Sequence, residues 1–178
     1  MKTYRILSAT GKDRPGIVRQ VSQLVFDTGC NMEDSRMAVL GGQFSVMLLF
    51  SGEVEKVEKL ESKIGHFEEE SGLRATLAEA VNPQDHQRKP CLPVRLEVVA
   101  MDAPGIMVQI AKVLEQYEVN VESLDAHLSP APTSGTTVSS VKMKVTVPQD
   151  VSLMEVKDAL TALAGEINLD VMFQPVQE

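Results

Sequence analysis

Asp13-Arg14-Pro15-Gly16-Ile17 returns 89 positions later as Asp102-Ala103-Pro104-Gly105-Ile106, and the two copies stay in step without a gap as far as Glu33 and Glu122. Over that span Gln20 meets Gln109 and Asn31 meets Asn120, while apolar Val21, Leu24, Val25 and Met32 meet Ile110, Val113, Leu114 and Val121. Self-similarity at a fixed spacing sets architecture before local propensity does. The chain therefore reads as a duplication.

Outward from the first motif, residues 3–10 alternate weakly and break at Gly11, which predicts a strand feeding a turn. After Pro15 the period changes: Ile17, Val18, Val21, Leu24 and Val25 share one helical face, and Gly29 ends it. Residues 31–39 and 43–51 read as strands joined at Gly41-Gly42, a hairpin signal. A helix from Val54 to Glu70 keeps Val57, Leu60, Ile64 and Phe67 on one side and ends at Gly72. Leu73, Ala75 and Leu77 then mark a closing strand.

The second half repeats the order with strands at 93–101, 120–129, 137–147 and 167–173 and helices at 104–117 and 152–164. Past residue 129 the spacing becomes 96, because a seven-residue excess sits around Ser129–Gly135. This gives a first domain at 1–80, a proline-containing polar linker at 81–92 and a second domain at 93–178. In each domain two strand–helix–strand crossovers of right-handed sense put both helices on one face of a four-stranded antiparallel sheet. The fold class is α+β, two tandem ferredoxin-like βαββαβ units. Each sheet's helix-free face is expected to carry apolar side chains, drawn from Phe44 to Phe50 and from Val94, Leu96 and Val98, and so to need a partner. A homo-oligomer is one way to supply it.

Composition narrows the function. A formal charge of -8 and a pI of about 4.9 oppose direct binding to nucleic acid, whose affinity rests on neutralising phosphates with Lys and Arg. The imbalance is uneven: residues 1–88 carry 11 basic and 13 acidic side chains, residues 89–178 carry 6 and 12. A basic partner would therefore favour the second half. No apolar run is long enough for a membrane span, no signal-peptide core opens the chain, and the reading is cytoplasmic. Cys30 and Cys91 read as free thiols, and His66, His86 and His127 are scattered, so neither a metal nor a cofactor is expected. Lys142 and Lys144 read as an exposed strand face, and Glu68-Glu69-Glu70 as a solvated helix end. No nucleophile–base pair, phosphate loop or carboxylate pair appears, so the chain is not expected to be an enzyme.

At the repeated turn, Pro15 and Pro104 suit the first helical position and Asp13 and Asp102 suit a cap. Gly16 and Gly105 would let a backbone or ligand approach closely. Free amides at such an entrance favour an anion, including an amino-acid carboxylate, and Asn31 and Asn120 offer both donor and acceptor. The same residues also make a sound helix start with no ligand at all.

A ferredoxin-like unit with Asp-x-Pro-Gly-Ile at its first strand–helix turn, and an Asn opening the second strand, resembles the ACT domain, an amino-acid-sensing module. Two such units with little else resemble the glycine cleavage system repressor group of bacterial regulators. The resemblance implies an effector site at Asp13, Arg14, Pro15, Gly16, Ile17, Asn31 and Met32, and again at Asp102, Ala103, Pro104, Gly105, Ile106, Asn120 and Val121. It implies a small amino acid as ligand, glycine favoured, and repression of glycine cleavage genes through a DNA-binding transcriptional activator. Arg14 gives the first copy the better charge for a carboxylate. Two other readings stay open: a sensor of another amino acid, such as serine, acting on a metabolic enzyme, and a ligand-free oligomerisation module.

Overall fold

The computed structural model describes residues 2–83, 90–101, 103–130 and 136–176. The chain divides into two compact units, residues 1–87 and 88–178. The first contains β1 (Lys2–Lys12), α1 (Ile17–Asp27), β2 (Asn31–Leu40), β3 (Gln43–Glu53), α2 (Val54–Ser71) and β4 (Arg74–Ala80). The second contains β5 (Cys91–Met101), α3 (Ile106–Gln116), β6 (Asn120–Pro130), β7 (Thr137–Pro148), α4 (Leu153–Ile167) and β8 (Leu169–Pro175). The sheets run β2-β3-β1-β4 and β6-β7-β5-β8, antiparallel throughout. This is the expected α+β, ferredoxin-like fold, twice.

Each core lies between one sheet face and its helices. In the first unit Leu7 and Ala9 of β1 and Phe44, Val46, Leu48 and Phe50 of β3 pack with Val21, Leu24, Val25, Val57 and Leu60 of the helices. Burying one such side chain fully is worth about 1.5–3 kcal/mol. In the second unit Val94, Leu96 and Val98 meet Ile110, Leu114, Val156 and Leu160 in the same way. This corrects one expectation for Val94, Leu96 and Val98, and for Phe44, Val46, Leu48 and Phe50, all of which face the helices. Their neighbours one position along form the helix-free face, with Tyr4, Ile6, Met47 and Leu49 in the first unit but Arg95, Glu97, Lys142 and Lys144 in the second. Period-2 alternation fixes that a strand has two faces; which of them the helices cover depends on register.

Register also refines the duplication. Lys2 pairs with Glu53 and Cys91 with Pro148, a spacing of 95 for β3 and β7, while Leu77 opposite Leu7 and Phe173 opposite Leu96 give 96 for β4 and β8. Six of the seven extra residues therefore belong to the second hairpin and one lies between β7 and β8. Residues 131–135 of that hairpin are outside the described residues. In the first hairpin Gly41 and Gly42 both have positive φ, 58° and 77°, as a two-residue type I′ connection requires.

Helix α1 ends in a Schellman pair, Cys30 N–H donating to Val25 O at 3.2 Å and Gly29 N–H to Phe26 O at 2.9 Å, with Gly29 left-handed at φ 72°. Helix α3 ends in the same pair, Val119 to Leu114 at 2.9 Å and Glu118 to Glu115 at 3.0 Å, with Glu118 at φ 53°. Gly29→Ala is expected to lower stability by about 1 kcal/mol through left-handed strain. The added methyl would meet only the Lys56 stem, at 3.5 Å. Urea unfolding should show a lower midpoint with an unchanged slope.

Candidate functional site at the repeated turn

The turn forms because β1 must hand the chain to α1 above the sheet. Gly16 is the N-cap, left-handed at φ 87° and ψ -3°, and Gly105 caps α3 at φ 88° and ψ -1°. Their carbonyls accept the first helical bonds, from Gln20 and Gln109, each at 3.1 Å. Two expectations are corrected here. Pro15 and Pro104 precede the cap and do not occupy the first helical position. The glycines are required by backbone geometry, since a Cβ at either would meet nothing within 4 Å.

No side chain caps either helix. Asp13 is held by its backbone, N–H to Gly42 O at 2.9 Å, which fastens the turn to the tip of the β2–β3 hairpin. Asp102 lies outside the described residues. The amides of Val18 and Arg19 have no protein acceptor among the described residues. They sit where the helix dipole favours negative charge.

Arg14 is the main difference between the copies. Its Nη2 donates to Gln20 Oε1 at 2.6 Å and to Ser71 O at 2.8 Å. Ser71 is the last residue of α2, so the guanidinium satisfies an orphan carbonyl at a negative helix end. Arg14 remains exposed, with further N–H donors. Ala103 supplies none of this. Around the first turn Asp13, Arg14, Pro15, Gly16, Ile17 and Val18 line a hollow of about 330 Å³, closed from the sheet side by Met37 and Phe44. Met37 was not singled out from sequence.

The structure does not bring Asn31 and Met32 to this turn. Asn31 pairs with Ser51, which lies opposite Tyr4, whereas the turn follows Lys12 at the other end of β1. Eight residues of strand separate them, about 26 Å. In the second unit Asn120 and Val121 likewise begin β6 at the end away from Pro104 and Gly105.

At the strand start a β-bulge interrupts the pairing between Met32 and Asp34, and its counterpart lies between Val121 and Ser123. Each bulge inserts one glutamate, Glu33 or Glu122, and re-aims the side chains beside it. The Glu33 carboxylate accepts from Lys2 Nζ at 2.8 Å, from Asn31 Nδ2 at 3.2 Å and from the buried Ser51 hydroxyl. These bonds, Lys2 first, lower its pKa from 4.5 to about 2, and the same contact raises that of Lys2. Glu33, Lys2, Tyr4 and Asp34 line a second hollow of about 480 Å³ with Leu49, Asn82 and Pro83. Sequence pointed to this bulge only through the repeat of Glu33 at Glu122.

Other expectations resolve simply. Glu68 is not merely solvated, since its Oε1 accepts from Ala75 N–H at 2.8 Å, and His66 lies 3.4 Å from Glu70. His86 lies outside the described residues. Cys30 and Cys91 are free thiols. Among the described residues no group of three His, Cys, Asp or Glu could hold a metal ion, and no helix is long and apolar enough to cross a membrane.

The family model of the ACT domain matches residues 3–77, within the first unit. At the level of the whole chain, it is 26% identical to the glycine cleavage system transcriptional repressor of Escherichia coli (strain K12) over 167 residues, covering 93% of this chain and 86% of that protein. A crystal structure of a protein of unknown function from Galdieria sulphuraria aligns with a TM-score of 0.83 and 27% identity, covering 99% of this chain and 100% of that one. A crystal structure provisionally assigned as a glycine cleavage system transcriptional repressor gives 0.75 and 24% identity over 100% and 99%, a likeness that shows the fold.

The Glu33 cluster generates a pH prediction. A carboxyl whose pKa is depressed in the folded chain contributes stability above its ordinary value near 4.5, and loses it as pH falls toward about 2. Glu33→Gln removes that component. Urea midpoints of the two proteins should differ at pH 6 and converge toward pH 2, with wild type the more stable at pH 6. Parallel profiles would show that the cluster does not stabilise the charged form.

Proposed function

We propose that this chain is a non-catalytic sensor of a small amino acid, glycine favoured, and that the first turn is its working site. The observation that carries this reading is the α1 entrance of an ACT domain with free amides at Val18 and Arg19 and the cation of Arg14 alongside. A carboxylate placed there would accept from those amides and from Arg14, all charge-assisted bonds. The second turn repeats the backbone but lacks the cation. Because Asn31 stands about 26 Å away, a ligand at the turn takes its remaining contacts from outside the described turn.

The likeness to the Escherichia coli repressor supports a cytoplasmic role in transcriptional control. With a charge of -8 this chain is poorly suited to bind DNA itself, so the proposed output runs through a DNA-binding activator protein. The amino acid then has to bind the partner-bound and partner-free forms with different affinity, since equal affinity shifts nothing.

Calorimetric titration with glycine, serine and alanine tests the site. Wild type is expected to bind glycine saturably and Arg14→Ala about tenfold more weakly, the size of one lost charge-assisted bond. Tighter binding of serine would move the reading to a sensor of that amino acid. Absence of saturable binding by any of the three, with assembly intact, would favour a ligand-free module. Capture of a transcriptional activator from a lysate by the full chain, altered by glycine, is expected for the partner.

A further inference from the structure

Strand β2 is an open edge of the first sheet, and every one of its residues from Asn31 to Leu40 is exposed. Next to it, on the side the helices cover, Phe44, Val46, Leu48 and Phe50 of β3 are buried. On that same side of β2, Met32, Met37 and Val39 stay 40%, 52% and 45% exposed. The other edge strand, β4, is shorter and packs Ala75 and Leu77 against the core. A long edge strand with uncovered apolar side chains is a template for another strand.

The pattern of β2 selects its own copy as that strand. Ser35 opposite Leu48 and Met37 opposite Val46 face the helix side, while Asp34 opposite Leu49 and Arg36 opposite Met47 face the other. Antiparallel pairing of two identical strands is symmetric about one residue, and side chains directly opposite share a face. With Ser35 on the axis, Asp34 of each copy stands opposite Arg36 of the other. Because the bulge takes Glu33 out of the count, Met37 then stands opposite Met32, apolar against apolar. Moving the axis by one residue either way sets Asp34 or Arg36 against itself, like charge on like. One register is singled out.

The backbone at that axis is held only by neighbouring side chains. The Ser35 N–H donates to Asp34 Oδ1 at 2.7 Å, and its carbonyl accepts from Arg36 Nη1 at 2.9 Å. Asp34 and Arg36 also bridge each other within the strand, both well exposed. We infer that β2 of the first unit is a self-association edge whose occupant is β2 of a second copy of this chain, joined antiparallel about Ser35. There Ser35 exchanges both backbone bonds with its copy, and the released carboxylate and guanidinium pair across the strands. Met37 lines the hollow at the turn, so the pairing sets Met32 of the second copy beside that hollow. At the equivalent positions of the second unit β6 reads Ser123-Leu124-Asp125, which has no opposite charges to set across an axis.

Sedimentation velocity of the full chain is expected to show a reversible dimer. Asp34→Arg and Arg36→Asp each replace attraction by repulsion on both sides of the axis, and each should weaken the dimer about tenfold. The exchange Asp34→Arg/Arg36→Asp should restore it. Circular dichroism should show all three folded, since both positions are exposed. Under mild oxidation Ser35→Cys should give a covalent dimer that wild type, with its free Cys30 and Cys91, does not. Opposed strand residues lie about 5.5 Å apart between Cα atoms, within disulfide range. Thr76→Cys, on β4, should give none. A chain that stays monomeric, a dimer indifferent to the single reversals, an exchange that fails to restore it, or crosslinking at Thr76 instead of Ser35 would each overturn the pairing. No amino acid is present in these measurements, so their outcome is independent of glycine binding at the turn.

Discussion

Everything at the repeated turn follows from one backbone constraint, the left-handed glycine through which each first helix is entered. With φ near +87° at Gly16 and +88° at Gly105, the chain leaves the sheet and starts a helix within a few residues. That geometry leaves no side chain in position to cap the helix, so the first amides stay open toward a hollow beside β2. A capping Ser or Asp would satisfy them internally. The conformation that makes the turn possible is thus also what leaves a place for an anion. The Asp13–Gly42 bond then fixes the turn against the hairpin tip, itself built from two more left-handed glycines.

The element order was legible in sequence because each helix carries a single apolar face and glycine or proline marks several of the breaks, among them Gly29, Gly41-Gly42, Gly72 and Pro148. The α2 face, Val57, Leu60 and Phe67, is buried as its spacing predicts. What was not legible depends on register. An uninterrupted alternation from Asn31 would place Glu33 with Met37, whereas the bulge at Glu33 puts Met32, Ser35, Met37 and Val39 on the helix side. Local propensity contains no signal for that extra residue, so the faces taken by Met32 and Glu33 are found only in three dimensions. In β3 and β5, which pair with β1 and β7 without a bulge, alternation alone does not say that Phe44, Val94, Leu96 and Val98 lie under the helices while Met47 and Leu49 do not. The role of Arg14 at the end of α2 spans 57 positions of sequence and could be found only in three dimensions.

Duplication preserved the scaffold and let the surface chemistry diverge. Backbone angles at the caps, the bulges and the sheet order match between units. Among the side chains that differ are three cations of the first unit: Arg14 against Ala103, Arg19 against Val108, Lys63 against Ala159. Core residues are constrained by packing, where a lost methylene already costs stability, and rim residues are not. The second unit, with 6 basic and 12 acidic side chains over residues 89–178, suits a basic partner surface.

The central claim is that the first helix entrance binds an amino-acid carboxylate. It is tested most directly by the backbone amide resonances of Val18 and Arg19 during a glycine titration of the full chain. Saturable downfield shifts at those two amides, larger than any at Met107 and Val108, are the predicted result. Saturation with glycine that leaves Val18 and Arg19 unmoved would contradict it.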